Sequence, residues 1–303
     1  MVLNGLLSIL IVTHNRLPEL KKTIEKLLPL LKNSWVELVI CDDYSKDGTY
    51  EFIKQKYPSV ILIRNRRRKG YIYSRNFLLN NTKAKYAISL DDDSHIINID
   101  SIKGVINYFD RKPNCAVLAL RIFWGINKPE NNLTDEEPHR VKSFVGCGHI
   151  WRMSAWKNIP NYPEWFKFYG EEDFASFHLF KRGLEVHYYP DILIHHRVDV
   201  KSRKKNKDYI QRTRRALRSG WYLYLMFYPK RLIPKRMAYS IWIQLKNKVF
   251  QGDLKALIGM KLALFDLSYH FFCLCRNSSR LDINEFKIYS SLSDTKIYWT
   301  LKK

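Results

Sequence analysis

Four short apolar runs, each stopping at a polar or acidic cluster and each followed by a helical pattern, constrain the fold of this chain most. Residues 6–13 read Leu-Leu-Ser-Ile-Leu-Ile-Val-Thr, 36–41 Val-Glu-Leu-Val-Ile-Cys, 60–63 Val-Ile-Leu-Ile and 86–90 Tyr-Ala-Ile-Ser-Leu. Runs this rich in β-branched and apolar residues read as strands, 6–13 and 86–90 as buried ones. Between them Leu20, Ile24, Leu27, Leu28 and Leu31 recur at helical spacing, and 49–56 and 71–79 also read as helices. The alternation predicts an α/β fold, a mostly parallel Rossmann-like sheet with helices on both faces. Ligands of such sheets bind beyond the carboxyl ends of the strands, so the residues that end each run are the candidates for chemistry.

The most informative of these endings is Asp91-Asp92-Asp93. Carboxylates this close repel one another unless a cation or donor groups compensate them. A divalent metal carrying a phosphorylated ligand would do so, because hard cations share coordination between carboxylates and phosphates. The competing reading is an acidic turn that caps a following helix. At the end of the second run, Asp42-Asp43 leads into Ser45, Asp47 and Gly48. An acidic side chain here can accept from a base or a ribose hydroxyl, or the segment is a strand-to-helix turn with Asp47 as its cap. Arg75 falls just before the triple aspartate strand, where it can pair with a phosphate or sit on an exposed helix face.

Further along, a helix over 102–111 and a strand over 116–121 precede an irregular excursion at 124–140. A helix at 172–182 and a strand pair, 185–189 and 192–196, complete the ordered part. The chain is then expected to divide into a domain at 1–200, with a nucleotide half near 1–95 and an acceptor half near 96–200, and a helical extension at 201–303. The linker falls on the basic stretch 201–207.

Charge separates the two parts. The net charge is +23, and residues 201–303 hold 23 Lys and Arg against 6 Asp and Glu. The partner of the extension should therefore be an anionic surface. Ile258, Leu262, Phe265, Tyr269 and Phe272 recur at spacings of 4, 3, 4 and 3. That apolar stripe, and with it the aromatic run 221–228 (Trp-Tyr-Leu-Tyr-Leu-Met-Phe-Tyr), fits an interfacial helix on an anionic membrane, or else a packing or homodimer interface. Lys207, Arg214 and Arg218 also share a helical face. No stretch of 18 residues is free of charge, so a spanning helix is not expected. Five scattered cysteines without a CxxC spacing suggest a reducing compartment, and the first residues lack a signal peptide's basic region. Non-enzymatic binding of nucleic acid would suit the charge but leaves the ordered carboxylates unexplained.

Taken in order, Thr13-His14-Asn15-Arg16, Asp42-Asp43 through Gly48-Thr49, Arg75-Asn76, Leu90 to Asp93, Gly170-Glu171-Glu172-Asp173 and His195-His196 resemble a family-2 glycosyltransferase of the GT-A fold. The resemblance covers residues 6–200. It implies a metal-dependent, inverting transferase that moves a sugar from a nucleoside-diphosphate donor, UDP first with dTDP or GDP as alternatives, to a glycan or lipid-linked acceptor. Thr13, Arg16 and Asp42 would then contact base and ribose, and Arg75 would be a partner of the donor nucleotide. Asp91, with Asp92 beside it, would take the donor's nucleoside or phosphate side. Asp93 would bind Mn²⁺ or Mg²⁺, and a strand-end histidine, His196 by its spacing from Pro190, would add a ligand. The general base would be Asp173, reading Glu172-Asp173 as the family's pair, or Glu172 when counted back from Gly183. A cytoplasmic protein, peripheral on the inner face of the cell membrane and acting in surface polysaccharide or glycolipid synthesis, is the implied setting; no nucleic-acid partner is expected. A sugar nucleotidyltransferase would show a Gly-rich basic loop after the first strand, which this chain lacks.

Overall fold

Strand β1 (Leu7–Thr13) shows why its run lacks polar alternation: both of its faces are buried. Leu7, Ile9 and Ile11 join the apolar cluster of Leu20, Ile24 and Leu27 from helix α1 (Leu17–Leu31), while Leu10 and Val12 join the cluster on the other face. Strands β2 (Val36–Asp42) and β4 (Tyr86–Asp91) flank β1 in parallel, and β3 (Ile61–Arg64) lies outside β2. Helices α2 (Thr49–Lys56) and α3 (Tyr71–Asn81) make the crossovers, with Leu78 and Leu79 of α3 in the cluster of Leu10 and Val12. The chain is seen here as a computed structural model that describes residues 5–198 and 208–296.

Beyond β4 the sheet becomes mixed. Its further strands are β5 (Ser94–Ile96), β6 (Cys115–Trp124), β7 (His139–Val141), β8 (Gly148–Arg152) and β9 (Glu185–His196), with order β3-β2-β1-β4-β8-β6-β9-β5 and β7 also on β9. β8 runs antiparallel to β4 and β6, and β9 pairs parallel with β6 but antiparallel with β5 and β7. Residues 185–196 thus form one strand, where the sequence predicts a pair. Pro190 lacks a ladder donor, and the register with β6 slips between Leu120 and Arg121 to pass it. Helices α4 (Ile102–Arg111), α5 (Met153–Trp156) and α6 (Glu171–Phe180) accompany this half.

The extension is helical, as its pattern predicts: α7 (Tyr209–Phe227), α8 (Ile233–Asn247), α9 (Leu254–Tyr269), α10 (Phe271–Arg276) and α11 (Ile283–Ser291). The expected linker at 201–207, Lys207 included, lies outside the described residues. α7 packs against α6 and α9. The approach to α9 is close enough that a Cβ on Gly259 would meet the Thr213 side chain at 3.0 Å. Arg214 and Arg218 do share a face, and both donate to the buried carboxylate of Asp266, Arg214 at 2.7 and 2.6 Å and Arg218 at 3.2 Å.

The aromatic run 221–228 is not interfacial as expected, because Trp221, Tyr222, Met226 and Phe227 of α7 are buried in the apolar clusters, whereas the stripe on α9 and α10 points away from this packing. Phe265 is 65% exposed, Tyr269 76% and Phe272 85%, whereas Ala256, Gly259, Met260 and Ala263 on the reverse side are buried. Among the described residues no helix is long and apolar enough to cross a membrane. After α11 the chain returns to the sheet. Ser293 bridges Val141, the Ser143 amide donates to Thr295 Oγ1 at 3.0 Å, and that hydroxyl donates to the Ser143 carbonyl at 2.7 Å.

Candidate active site

Asp91 ends β4 and Asp92-Asp93 turn into β5, so the triple aspartate caps no helix. β5 pairs Ser94 with His196, and this register brings the end of β9 beside the turn. His196 Nε2 lies 3.1 Å from Asp93 Oδ1. One ligand atom from each of Asp91, Asp93 and His196 falls within 4.8 Å of the others. His196 Nδ1 is buried without a hydrogen-bond partner among the described residues. Two carboxylates and an imidazole form a donor set that suits Mn²⁺ or Mg²⁺, so the residues present could hold such an ion. Burial pushes the Asp93 carboxyl up, but His196 and Arg16 outweigh it and hold the group down at about 2.

Asp92 makes other contacts. Thr13 Oγ1 donates to it at 2.9 Å and Arg16 Nε pairs with it at 3.1 Å, while Arg16 Nη2 reaches Asp93 at 2.6 Å. Burial pushes the Asp92 carboxyl up to about 7 against the pull of Arg16. Thr13, Arg16, Asp91, Asp92, Asp93 and His196, dispersed over 184 positions of sequence, thus meet at the ends of β1, β4 and β9. Asp42 does not join them. It is fully buried, accepting the Ser45 amide at 2.9 Å with Arg64 at 3.5 Å. Its neighbour Asp43 lines the cleft and accepts the Lys69 and Gly70 amides at 2.8 and 2.9 Å, fixing the loop that carries Arg68.

Arg75 is a buried hub. Its Nη2 donates to Asp91 at 3.1 Å, to the Gly146 carbonyl at 2.8 Å and to Tyr71, whose hydroxyl donates to Asp91 in turn. Nη1 lies 3.9 Å from Glu172 Oε1. Arg75 therefore ties the end of β4 to the start of α6 from behind the cleft. Gly146 makes room for this: a Cβ there would stand 2.1 Å from Glu172 Oε1 and 3.1 Å from Arg75 Nη1.

The acidic start of α6 follows a segment of unusual backbone. Lys167, Tyr169 and Gly170 have φ of 63°, 71° and 87°, a region costly for the two non-glycine residues. Arg218 donates to the Phe166 carbonyl and Ser219 to that of Phe168, clamping the segment from α7. Glu171, Glu172 and Asp173 then line the cleft. Glu171 is buried and its Oε2 finds no partner among the described residues. Burial pushes all three carboxyls up; Glu171 raises Glu172 further, Arg75 opposes that, and the Ser143 hydroxyl restrains Asp173. The dipole at a helix start favours their anionic forms and limits the rise.

The cleft between these groups encloses 1650 Å³. Part of its wall comes from the extension: Arg212, Arg215, Tyr224, Tyr228 and Tyr289. The sequence offers no local signal for these residues, nor for Tyr71 or Gly146, because each acquires its place through tertiary packing.

The chain is similar to known proteins. Over 91 residues, 30% of this chain, it is 35% identical to the UDP-Glc:alpha-D-GlcNAc-diphosphoundecaprenol beta-1,3-glucosyltransferase WfaP of Escherichia coli. The match spans 36% of that relative's length. Among solved structures, the mannosyltransferase PcManGT of Pyrobaculum calidifontis, in complex with GDP-Man and Mn²⁺, superposes with a TM-score of 0.55 at 12% identity, over 95% of this chain and 79% of its own. GalNAc-T7 with UDP, GalNAc and Mn²⁺ gives 0.56 at 16% identity, over 73% of this chain and 51% of its own. At such identities the likeness is one of fold, and it is the GT-A fold expected from the motifs. The model of glycosyl transferase family 2 matches residues 8–180, more than half of the chain, and the protein belongs to that family.

Proposed function

We propose that this glycosyltransferase is metal-dependent and inverting, and transfers a sugar from a nucleoside-diphosphate donor to an acceptor hydroxyl. The observation that carries the reading is the meeting of Asp91, Asp93 and His196 in one cleft with Glu172 and Asp173. Thr13, Arg16, Asp91 and Asp92 are assigned to the donor side. Arg75 acts there through Asp91, and Asp42 through the turn it shares with Asp43. UDP is the first choice of nucleotide, supported by the UDP-Glc in the relative's name and the UDP in the GalNAc-T7 structure; GDP and dTDP are the alternatives.

In this mechanism Asp173, or Glu172 beside it, accepts the proton of the acceptor hydroxyl as its oxygen attacks the anomeric carbon. Attack from the face opposite the leaving diphosphate inverts the configuration, and no side chain forms a covalent intermediate. Burial raises both carboxyls and so makes them stronger bases than exposed ones. Arg75 fixes Asp91 and Glu172 relative to one another. A divalent cation held by Asp91, Asp93 and His196 would supply charge neutralisation for the departing diphosphate.

The acceptor, in this reading, is a glycan or lipid-linked glycan used for surface polysaccharide or glycolipid, and the enzyme rests peripherally on the inner face of the cell membrane. Support comes from the diphosphoundecaprenol in the relative's name, the outward stripe of Phe265, Tyr269 and Phe272, and the basic extension around it. A screen of UDP-, dTDP- and GDP-sugars for Mn²⁺-dependent thermal stabilisation tests the donor assignment. Stabilisation by one nucleotide class, abolished by EDTA and by Asp93→Ala, is expected. A folded wild-type protein that no nucleotide-sugar stabilises would overturn it.

A further inference from the structure

We propose that Arg215, with Arg212 and Lys167 beside it, forms a second anion site in the cleft that holds a phosphate carried by the acceptor. The inference rests on the transferase reading above and adds to it the residues that hold the acceptor's phosphate.

Three observations point to it. First, Arg215 is half-buried in the cleft wall, and among the described residues no carboxylate pairs with it. The nearby Asp208 is taken by Arg212, whose Nε it accepts at 2.7 Å. Burial and the neighbouring Arg218 work against the charge of Arg215 and outweigh the support it has from Tyr169 and Asp208, so the fold holds a cation in the cleft wall at a local cost. A guanidinium presents a planar fork of donors suited to phosphate.

Second, α7 is anchored at the acceptor side. Ser219, one turn beyond Arg215 on the same helical face, lies so near Gly170 that a Cβ there would meet it at 3.1 Å. Arg218 holds the Phe166 carbonyl. Arg215 therefore stands beside the strained 167–170 segment that leads straight into Glu171, Glu172 and Asp173, and Lys167 of that segment faces the same cleft.

Third, the donor side has cations of its own. Arg68 and Lys69 line the cleft on the loop that Asp43 fixes at the end of β2. The donor diphosphate thus has its counter-charges on a different element. Two separate basic groups imply two anions. The second belongs to the acceptor, as in a sugar joined to its carrier through a phosphate or diphosphate.

Calorimetry on the full chain tests this with the donor site first saturated by nucleoside diphosphate and Mn²⁺. The probes are hexyl diphosphate, inorganic phosphate and, as a neutral control, hexyl glucoside. Hexyl diphosphate should bind the saturated wild type, with Kd raised about 10- to 100-fold by Arg215→Ala and less by Arg215→Lys, as expected for loss of one charge-assisted contact. Unchanged nucleotide affinity in the same variants keeps the effect off the donor side. Weak binding of inorganic phosphate beside tight hexyl diphosphate assigns the site to a carrier-linked acceptor, and equal binding of the two to a free phosphorylated one. The proposal is overturned if hexyl diphosphate binds Arg215→Ala as tightly as wild type, binds no better than hexyl glucoside, or is displaced by the nucleotide. Failure of the nucleotide itself to bind would instead refute the transferase reading.

Discussion

Gly146→Ala should uncouple catalysis from stability and donor binding. The backbone of Gly146 is outside the left-handed region, so alanine itself is tolerated there. Its methyl group, however, would stand 2.1 Å from Glu172 Oε1 and 3.1 Å from Arg75 Nη1. Ordinary contact begins at 3.4 Å, so the Glu172 carboxylate must retreat by about 1 Å or more, while the guanidinium yields only a few tenths. The end of a flexible side chain moves at little cost in stability. A displacement of about 1 Å at a reacting group, by contrast, lowers the rate about 100-fold. With Glu172 as the base, the variant should therefore lose kcat by roughly that factor, keep the wild-type Tm within a few degrees and bind nucleoside diphosphate unchanged. Steady-state transfer assays with calorimetry of the nucleotide measure all three. A kcat within threefold of wild type would show that the position of Glu172 is irrelevant to the reaction and leave Asp173 as the sole candidate base.

Three further outcomes follow from the same geometry. Asp173 must be ionised to act as base, so activity rises with pH through its raised pKa; Ser143→Ala removes the hydroxyl that restrains this rise and should move the ascending limb of the kcat profile to higher pH, whereas an unmoved limb assigns it to Glu172. Glu171 is buried with its carboxyl pushed up, so its protonated form favours the folded state, and this contribution is present at low pH and lost as pH rises through the folded-state pKa; Glu171→Gln should raise Tm by about 1–2 °C at pH 8, about 1 kcal/mol in a chain of this size, and by less at pH 5, and an equal gain at both pH values would contradict this. Phe265→Ser with Phe272→Ser should cut binding to anionic vesicles at least about tenfold without changing turnover of a short-chain acceptor, and a protein that instead changes from dimer to monomer in light scattering would show the stripe to be a self-interface.

The strands of the first half were legible because a doubly buried strand writes itself as a continuous apolar run, and β1, β2 and β4 each do so. That their endings share one edge of the sheet was legible for the same reason: parallel pairing sets Thr13 beside Asp42 and Val12 beside Asp91, although the Asp42 side chain turns into the core. What escaped depended on partners far away in sequence. β5 has three residues, too few for a pattern, yet its pairing with β9 delivers His196 to Asp93. Arg75 could be recognised as a possible phosphate partner, but its burial depends on Asp91, Glu172 and the carbonyl of Gly146. The periodicity of the 258–272 stripe was plain, while its direction was set by small residues on the reverse side that let α9 lie close against α7. Asp42 and Asp43 are indistinguishable by composition, and only the turn geometry sends one into the core and the other to the cleft.

The most direct test of the account is a titration of Mn²⁺, followed by electron paramagnetic resonance, into the wild type and into Asp93→Asn and His196→Ala, each with and without nucleoside diphosphate. The account predicts about one bound ion per chain in the wild type, tightened by the nucleotide and weakened about 10-fold or more by either substitution. Equal Mn²⁺ binding in wild type and both variants would contradict it, and with it the assignment of the cluster at the end of β4 as the donor's metal site.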